Sequence, residues 1–178
     1  AVTIYEIDGR GRMTMSLQCG AGKGFPIMPE ISMLFKLPAD YDQTEWYGRG
    51  PQENYADRKY GCPLGIYRKK VSEHLEKYVY VQECGNHSDV RYMKVTDAKG
   101  RGLKFSGQCL DVSVLPYTPH ELENASHWYE LGPVHHTVVR AGKQMGVGGD
   151  DSWGSRVHDE FVIHSGQPQK IKFTVEIL

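Results

Sequence analysis

The sequence predicts an all-β protein, an antiparallel β-sandwich built as one domain over residues 1–178. Three observations predict it. Apolar and polar residues alternate with a period of two in several short runs, most cleanly where Ile171, Phe173, Val175 and Ile177 interleave with Lys172, Thr174 and Glu176. Turn-forming clusters recur roughly every 8–12 residues, the spacing of short paired strands. Only one stretch carries the signature of a helix start, Thr118-Pro119-His120-Glu121, with threonine at the cap, proline at the first helical position and glutamate returning to the cap.

In chain order, residues 2–7 and 12–19 read as a hairpin around the turn Asp8-Gly9-Arg10-Gly11. Ile31, Met33, Phe35 and Leu37 form the next strand, ended by Pro38, and Glu45-Trp46-Tyr47 a short one running into Gly48-Arg49-Gly50-Pro51. Residues 48–58 are dense in polar groups and read as a surface loop in which Glu53, Asn54, Asp57 and Arg58 satisfy the backbone. Strands are expected over 78–83 and 90–96, separated by a polar loop over 84–89. Leu103 and Phe105 begin another strand, and Leu110, Val112 and Val114 a separate one. The helix is expected to reach about His127, after which Trp128, Tyr129 and Leu131 resume an extended run. Residues 134–141 read as a strand, Phe161 and Ile163 mark one more, and the count comes to about ten or more.

The stretch with the most chemical content is Met145-Gly146-Val147-Gly148-Gly149-Asp150-Asp151-Ser152-Trp153-Gly154. Four glycines in ten residues mark a loop of unusual shape that presents Asp150, Asp151 and Trp153. An indole can cover the C–H face of a pyranose while carboxylates accept its hydroxyls, so the loop reads as a sugar-binding element. The competing structural reading is a tight connection whose tryptophan plugs the end of a core. A calcium-binding β-helix repeat would need tandem copies, and a phosphate loop a following Lys-Ser/Thr and a helix; neither is present. His87 beside Asp89 has the residue types of a general base and its orienting carboxylate, although a polar turn residue is the simpler reading.

Composition narrows the function classes. With 21 Lys and Arg against 22 Asp and Glu, the net charge of −1 gives no electrostatic argument for nucleic acid or an acidic membrane surface. No apolar run approaches the ~20 residues a membrane-spanning helix needs. Cys19, Cys62, Cys84 and Cys109 are widely spaced, lack a Cys-x-x-Cys pair, and read as free buried thiols, with two disulfides as the alternative. His135 and His136 are adjacent on an expected strand, face opposite sides, and so cannot share one ion.

Three separated segments together resemble one family. Trp-Tyr-Gly-Arg-Gly-Pro-Gln-Glu-Asn-Tyr-Ala-Asp-Arg (Trp46 to Arg58) is similar to the signature of the C-terminal domain of large β-galactosidases of glycoside hydrolase family 2. Gln82 to Arg91 resembles that domain's next loop, with cysteine at position 84 where the family usually carries asparagine, and Gln144 to Trp153 its closing signature. The likeness runs from Ile4 to the end of the chain. It implies a β-supersandwich of the galactose mutarotase type, with strands ahead of residue 1 that this chain lacks. It also implies a place at the end of a multidomain enzyme that hydrolyses terminal β-D-galactosides such as lactose, in which Trp153 completes the substrate platform on the catalytic barrel. Asp150, Asp151, Glu83 and His87 are the further candidates for substrate contact, although Asp150 and Asp151 are expected first to fix the loop by accepting backbone N–H bonds.

A retaining glycosidase needs two carboxyl groups roughly 5 Å apart. The resemblance places that pair on the barrel, so no catalytic residue is assigned to this chain, and the fragment is expected to be inactive alone. No cofactor or metal is assigned either, because the family's magnesium and sodium ions belong mainly to other domains. The expected partners are a β-galactoside, the chain's own barrel and neighbouring domains, and a second subunit, in a cytoplasmic or periplasmic bacterial enzyme. Two other classes share these residues. One is an autonomous carbohydrate-binding module, and the other a mutarotase-type epimerase with His87 and Glu83 as acid and base.

Overall fold

The computed structural model describes residues 1–151 and 153–178. Among the described residues, nine antiparallel strands form a sandwich-like sheet accompanied by one short α-helix. β1 (Val2–Ile7) and β2 (Met13–Cys19) make the expected hairpin, its turn closed by the Asp8 carboxylate, which accepts the backbone N–H groups of Arg10 and Arg12. β2 continues into β9 (Gln169–Ile177), whose Ile171, Phe173 and Val175 point inward while Lys170 and Lys172 face solvent. The period-two pattern is thus read out directly as one buried and one wet face.

The centre of the sheet is β7 (Gly102–Leu115). One edge pairs with β6 (Asn86–Thr96), which leads through β4 (Gln43–Arg49) to β5 (Leu64–Lys70). The other edge serves two partners in turn: β9 along Leu103–Gly107, then β8 (His136–Gln144) along Asp111–Leu115. Between the two sits Cys109 with a left-handed φ of 54°, and β6 carries bulges between His87 and Tyr92 on the opposite side. This break splits the sheet into two arms. β3 (Glu30–Pro38), paired with β8, lays Phe35 edge-on against Phe105 of β7 at 5.0 Å and Phe173 of β9 at 6.1 Å. The main core lies between the arms, around Trp46, Met93, Val95, Phe105, Val112 and Val139. A smaller cluster of Val81, Cys84, Leu115, Leu122 and Ala125 packs beneath the helix α1 (Pro119–Asn124).

Several sequence expectations are corrected here. Residues 78–83 are not a strand; their alternation reflects Tyr78 and Val81 docking on the small cluster while Val79 and Tyr80 point outward. Residues 86–89, expected in a loop, open β6; Asn86, His87 and Ser88 are buried there, Asn86 and Ser88 bonded across to Asn54 and His87 to His74. The two strands expected within 103–114 are the single β7. The helix begins as expected, with Thr118 Oγ1 accepting Glu121 N–H, but ends at Asn124; Trp128–Glu130 then form a 3-10 turn in place of an extended run. Glu130 fixes that turn by accepting the N–H groups of Ser126 and His127. Asp159–Phe161 is likewise a 3-10 turn, and Ile163 makes only an isolated bridge with Met28. β5 escaped the sequence reading because it is an edge strand with inverted polarity, Leu64 and Ile66 facing outward. All four cysteines are free thiols, Cys62 and Cys84 buried, Cys19 half-buried and Cys109 exposed.

Candidate functional site

Three loops gather at one end of the sheet, and polar side chains pin them together. The loop after β4 provides the pins. Glu53 Oε2 accepts the Gly85 N–H at 2.7 Å, while its other oxygen receives Arg58 and the Tyr78 hydroxyl. Asn54 is fully buried: its side-chain oxygen accepts Ser88 N–H at 2.8 Å, and its carbonyl accepts the Asn86 amide at 2.8 Å. Asp57 Oδ2 accepts Gly148 N–H at 2.7 Å, joining this loop to the glycine-rich one. The sequence reading that these residues satisfy backbone groups holds for Glu53, Asn54 and Asp57, whose partners Gly85, Ser88 and Gly148 lie on other segments; Arg58 instead bonds the side chains of Glu53 and Tyr78.

The glycine-rich loop follows β8. Met145 N–H reaches Pro29 O, Gly146 N–H reaches Phe161 O, and Gly149 N–H reaches Ser155 O. A side chain at Gly146 would place its Cβ 2.5 Å from Asp57 Oδ2, and Gly148 has φ +66° with backbone on its open side, so glycine is required at both. Asp151 Oδ1 accepts the N–H groups of Trp153 (2.9 Å) and Ser155 (3.1 Å), which holds its carboxyl below the usual carboxylate range. Asp150 Oδ2 meets His158 Nε2 at 2.6 Å, and that bond raises the histidine pKa. The Trp153 indole stands at the loop tip, 93% exposed. A large apolar ring held in water by a pinned loop contributes nothing to the core and is available to a ligand or another surface.

His87 lies elsewhere. It is buried in the core, its ring centroid 4.2 Å from that of Trp46 and its Nε2 3.0 Å from Nδ1 of His74. Burial pushes its pKa down to about 3, and His74, buried beside it, is likewise driven well down. Asp89 does not orient it; that carboxylate receives Arg49 (2.6 Å) and Lys59 (3.1 Å). Thr44 extends this group. Its hydroxyl donates to Lys69 O at 2.8 Å and lies 2.8 Å from His74 Nε2, so Thr44, His74 and His87 form one buried hydrogen-bonded chain.

Glu83 precedes β6 and faces a cleft of ≈ 340 Å³ that runs along Met145, Gly146 and Val147. Arg140, 4% exposed, lies behind the cleft and pairs with both Glu83 and Glu30. Gln144 Nε2 adds a bond to Glu83 at 3.1 Å. Desolvation raises the Glu30 pKa against the lowering effect of Arg140. The structure therefore brings Glu83 alongside the base of the glycine-rich loop, sets Asp150, Asp151 and Trp153 at its tip, and leaves His87 in the interior. Sequence reasoning missed Glu30, Tyr55 and Arg140. A usable signal existed for the last, a lone charge inside the apolar run Thr137-Val138-Val139-Arg140-Ala141.

These features define an all-β sandwich domain that displays a pinned, tryptophan-tipped loop at one end. Comparison with known proteins makes the class specific. A family model described as "Beta galactosidase small chain" matches residues 1–177, and the chain belongs to that family. It is 48% identical over 177 residues to a β-galactosidase of Halalkalibacterium halodurans, covering 97% of this chain and 17% of that protein. It is 39% identical over 176 residues to a β-galactosidase of Priestia megaterium and 38% identical over 177 to one of Lactobacillus delbrueckii subsp. bulgaricus, in each case 98% of this chain and 17% of the relative. The chain thus spans about a sixth of the length of the curated relatives it matches.

Proposed function

We propose that this domain is the C-terminal part of a family 2 β-galactosidase and contributes Trp153 to the binding of terminal β-D-galactosides on a catalytic domain elsewhere in the full-length chain. The observation that carries the reading is the 93% exposed indole on a loop pinned by Asp57 and Asp151. Fixing the loop in advance removes ordering entropy from the binding step, and the flat ring supplies an apolar surface for a pyranose. Asp150 and Asp151 act first as loop holders, since Asp151 accepts two backbone N–H groups and Asp150 bonds His158. The carboxyl pair of a retaining mechanism, and any metal ions, then lie outside these residues, and the domain alone does not hydrolyse galactosides. Hydrolysis of a β-galactoside by the full-length chain, with and without Trp153→Ala, tests the reading. A raised KM supports it; unchanged kinetics in a folded variant overturns it.

A further inference from the structure

Among the described residues, the tip of the glycine-rich loop has one hydrogen-bonded tie to the rest of the domain, and that tie is titratable. The base of the loop is fixed twice: Gly146 N–H bonds Phe161 O at 3.0 Å, and Gly148 N–H bonds Asp57 Oδ2 at 2.7 Å. Beyond Gly148 the bonds close on themselves. Gly149 N–H reaches Ser155 O, and Asp151 Oδ1 accepts the N–H groups of Trp153 and Ser155, so all three bonds lie within residues 149–155. They give the tip its shape without fixing its direction relative to the sheet. The exception is Asp150, whose Oδ2 meets His158 Nε2 at 2.6 Å. His158 has a firm footing for this contact. Its carbonyl accepts Phe161 N–H at 2.9 Å, and the Phe161 carbonyl is the acceptor that holds Gly146. The imidazole thus stands on the turn that anchors the loop base and reaches across to the tip.

An indole 93% exposed has little contact of its own to orient it, so its direction follows that of the tip. We propose that His158 is a positioning residue for Trp153: by clasping Asp150 it fixes the loop tip relative to the domain, and the clasp loosens when the imidazole loses its proton. The inference rests on the reading of Trp153 as a substrate platform. The charged groups that face His158 are Asp150 on the tip, Glu160 on its own turn and Asp57 on the loop after β4; all three favour the protonated ring, Asp150 most strongly. The histidine pKa therefore lies above its ordinary 6.5, and the clasp is strongest in mildly acidic solution and weakens as pH rises through that raised value. A neutral imidazole still donates one hydrogen bond, but without the assistance of charge. Both side chains are exposed, so the effect is modest, since breaking an exposed ion pair changes an equilibrium by about fivefold at most.

Lactose hydrolysis by the full-length chain carrying His158→Ala or His158→Gln, followed from about pH 6 to about pH 9, tests it. Fluorine NMR of the same chains labelled with fluorotryptophan accompanies the kinetics, the Trp153 signal being assigned by its loss in Trp153→Phe. The alanine variant should show a KM about two- to threefold above the parent at the acid end, falling toward the parental value at the alkaline end, with kcat unchanged. His158→Gln, whose amide donates without titrating, should recover part of the difference at the acid end. The parental Trp153 signal should move with pH, and that of the alanine variant should stay still. A ratio of variant to parental KM that is one throughout, or that does not vary with pH, overturns the proposal. So does a Trp153 signal that neither pH nor the loss of His158 moves. If Trp153→Ala itself leaves KM unchanged, the platform reading falls, and the fluorine signal alone decides the clasp.

Discussion

Acidification should destabilise this domain through its buried histidine pair, and the size of the effect can be worked out. His87 and His74 are both almost fully buried, and desolvation holds them neutral, His87 with a pKa of about 3 against 6.5 for the free side chain. The unfolded chain therefore takes up the proton first. The native advantage is complete above about pH 6.5 and is lost progressively as pH falls toward 3. For His87 the loss between pH 7 and pH 5 is about 2 kcal/mol, and His74 adds a contribution of the same sign. Lys69 is the charged group that disfavours protonation of both rings, while Glu30 and Asp111, their pKa values raised by burial, take up protons early and oppose the trend. Comparison with His87→Phe isolates the histidine. The phenyl ring retains contact with Trp46 but cannot hydrogen-bond to His74, so the variant starts less stable at pH 7. It should then lose about 2 kcal/mol less than the parent on going to pH 5. Urea unfolding at the two pH values measures both quantities. Equal losses in parent and variant would refute the assignment of His87 as a buried neutral base.

Two further substitutions probe the loop end of the sheet. Asp57→Ala leaves the Gly148 N–H without its acceptor, so stability should fall by about 2 kcal/mol and exchange of that amide should accelerate, while Asp57→Asn retains most of both; unaltered exchange in the alanine variant would show that the pin is dispensable. Arg140→Met strips Glu30 and Glu83 of their shared cation, and with Glu83 partly solvated the loss should be about 3 kcal/mol in urea unfolding; a variant as stable as the parent would mean the carboxylates are adequately solvated without it.

Local pattern revealed the strands that present one face to the core, β3 and β9, because there burial and sequence share a period of two. It misled where half-burial arose without a sheet, as at Tyr78 and Val81, and it was blind to β5, whose apolar residues face out. The polar segment 84–89 looked like a loop because polarity usually means solvent; Asn86, His87 and Ser88 are instead buried and paid for by Asn54 and His74, partners distant in sequence. The glycine-rich loop was legible as a presenting element, and the tie of Asp151 to its own backbone was legible too, being local. The tie to Asp57 and the cleft beside Glu83 were not, since both depend on tertiary placement across residues 30, 55, 83 and 144. The family resemblance reached further than periodicity because its three motifs are the segments that meet at this end of the sheet, Asn54 joining β6 and Asp57 joining the glycine-rich loop.

The measurement that bears most directly on the function proposed for this domain is the steady-state kinetics of lactose hydrolysis by the full-length chain carrying Trp153→Ala or Trp153→Phe. Loss of an aromatic platform worth about 1.4 kcal/mol predicts a KM raised about tenfold in the alanine variant, with much of that recovered by phenylalanine. Identical KM and kcat values in the parent and in a folded Trp153→Ala variant would contradict the account.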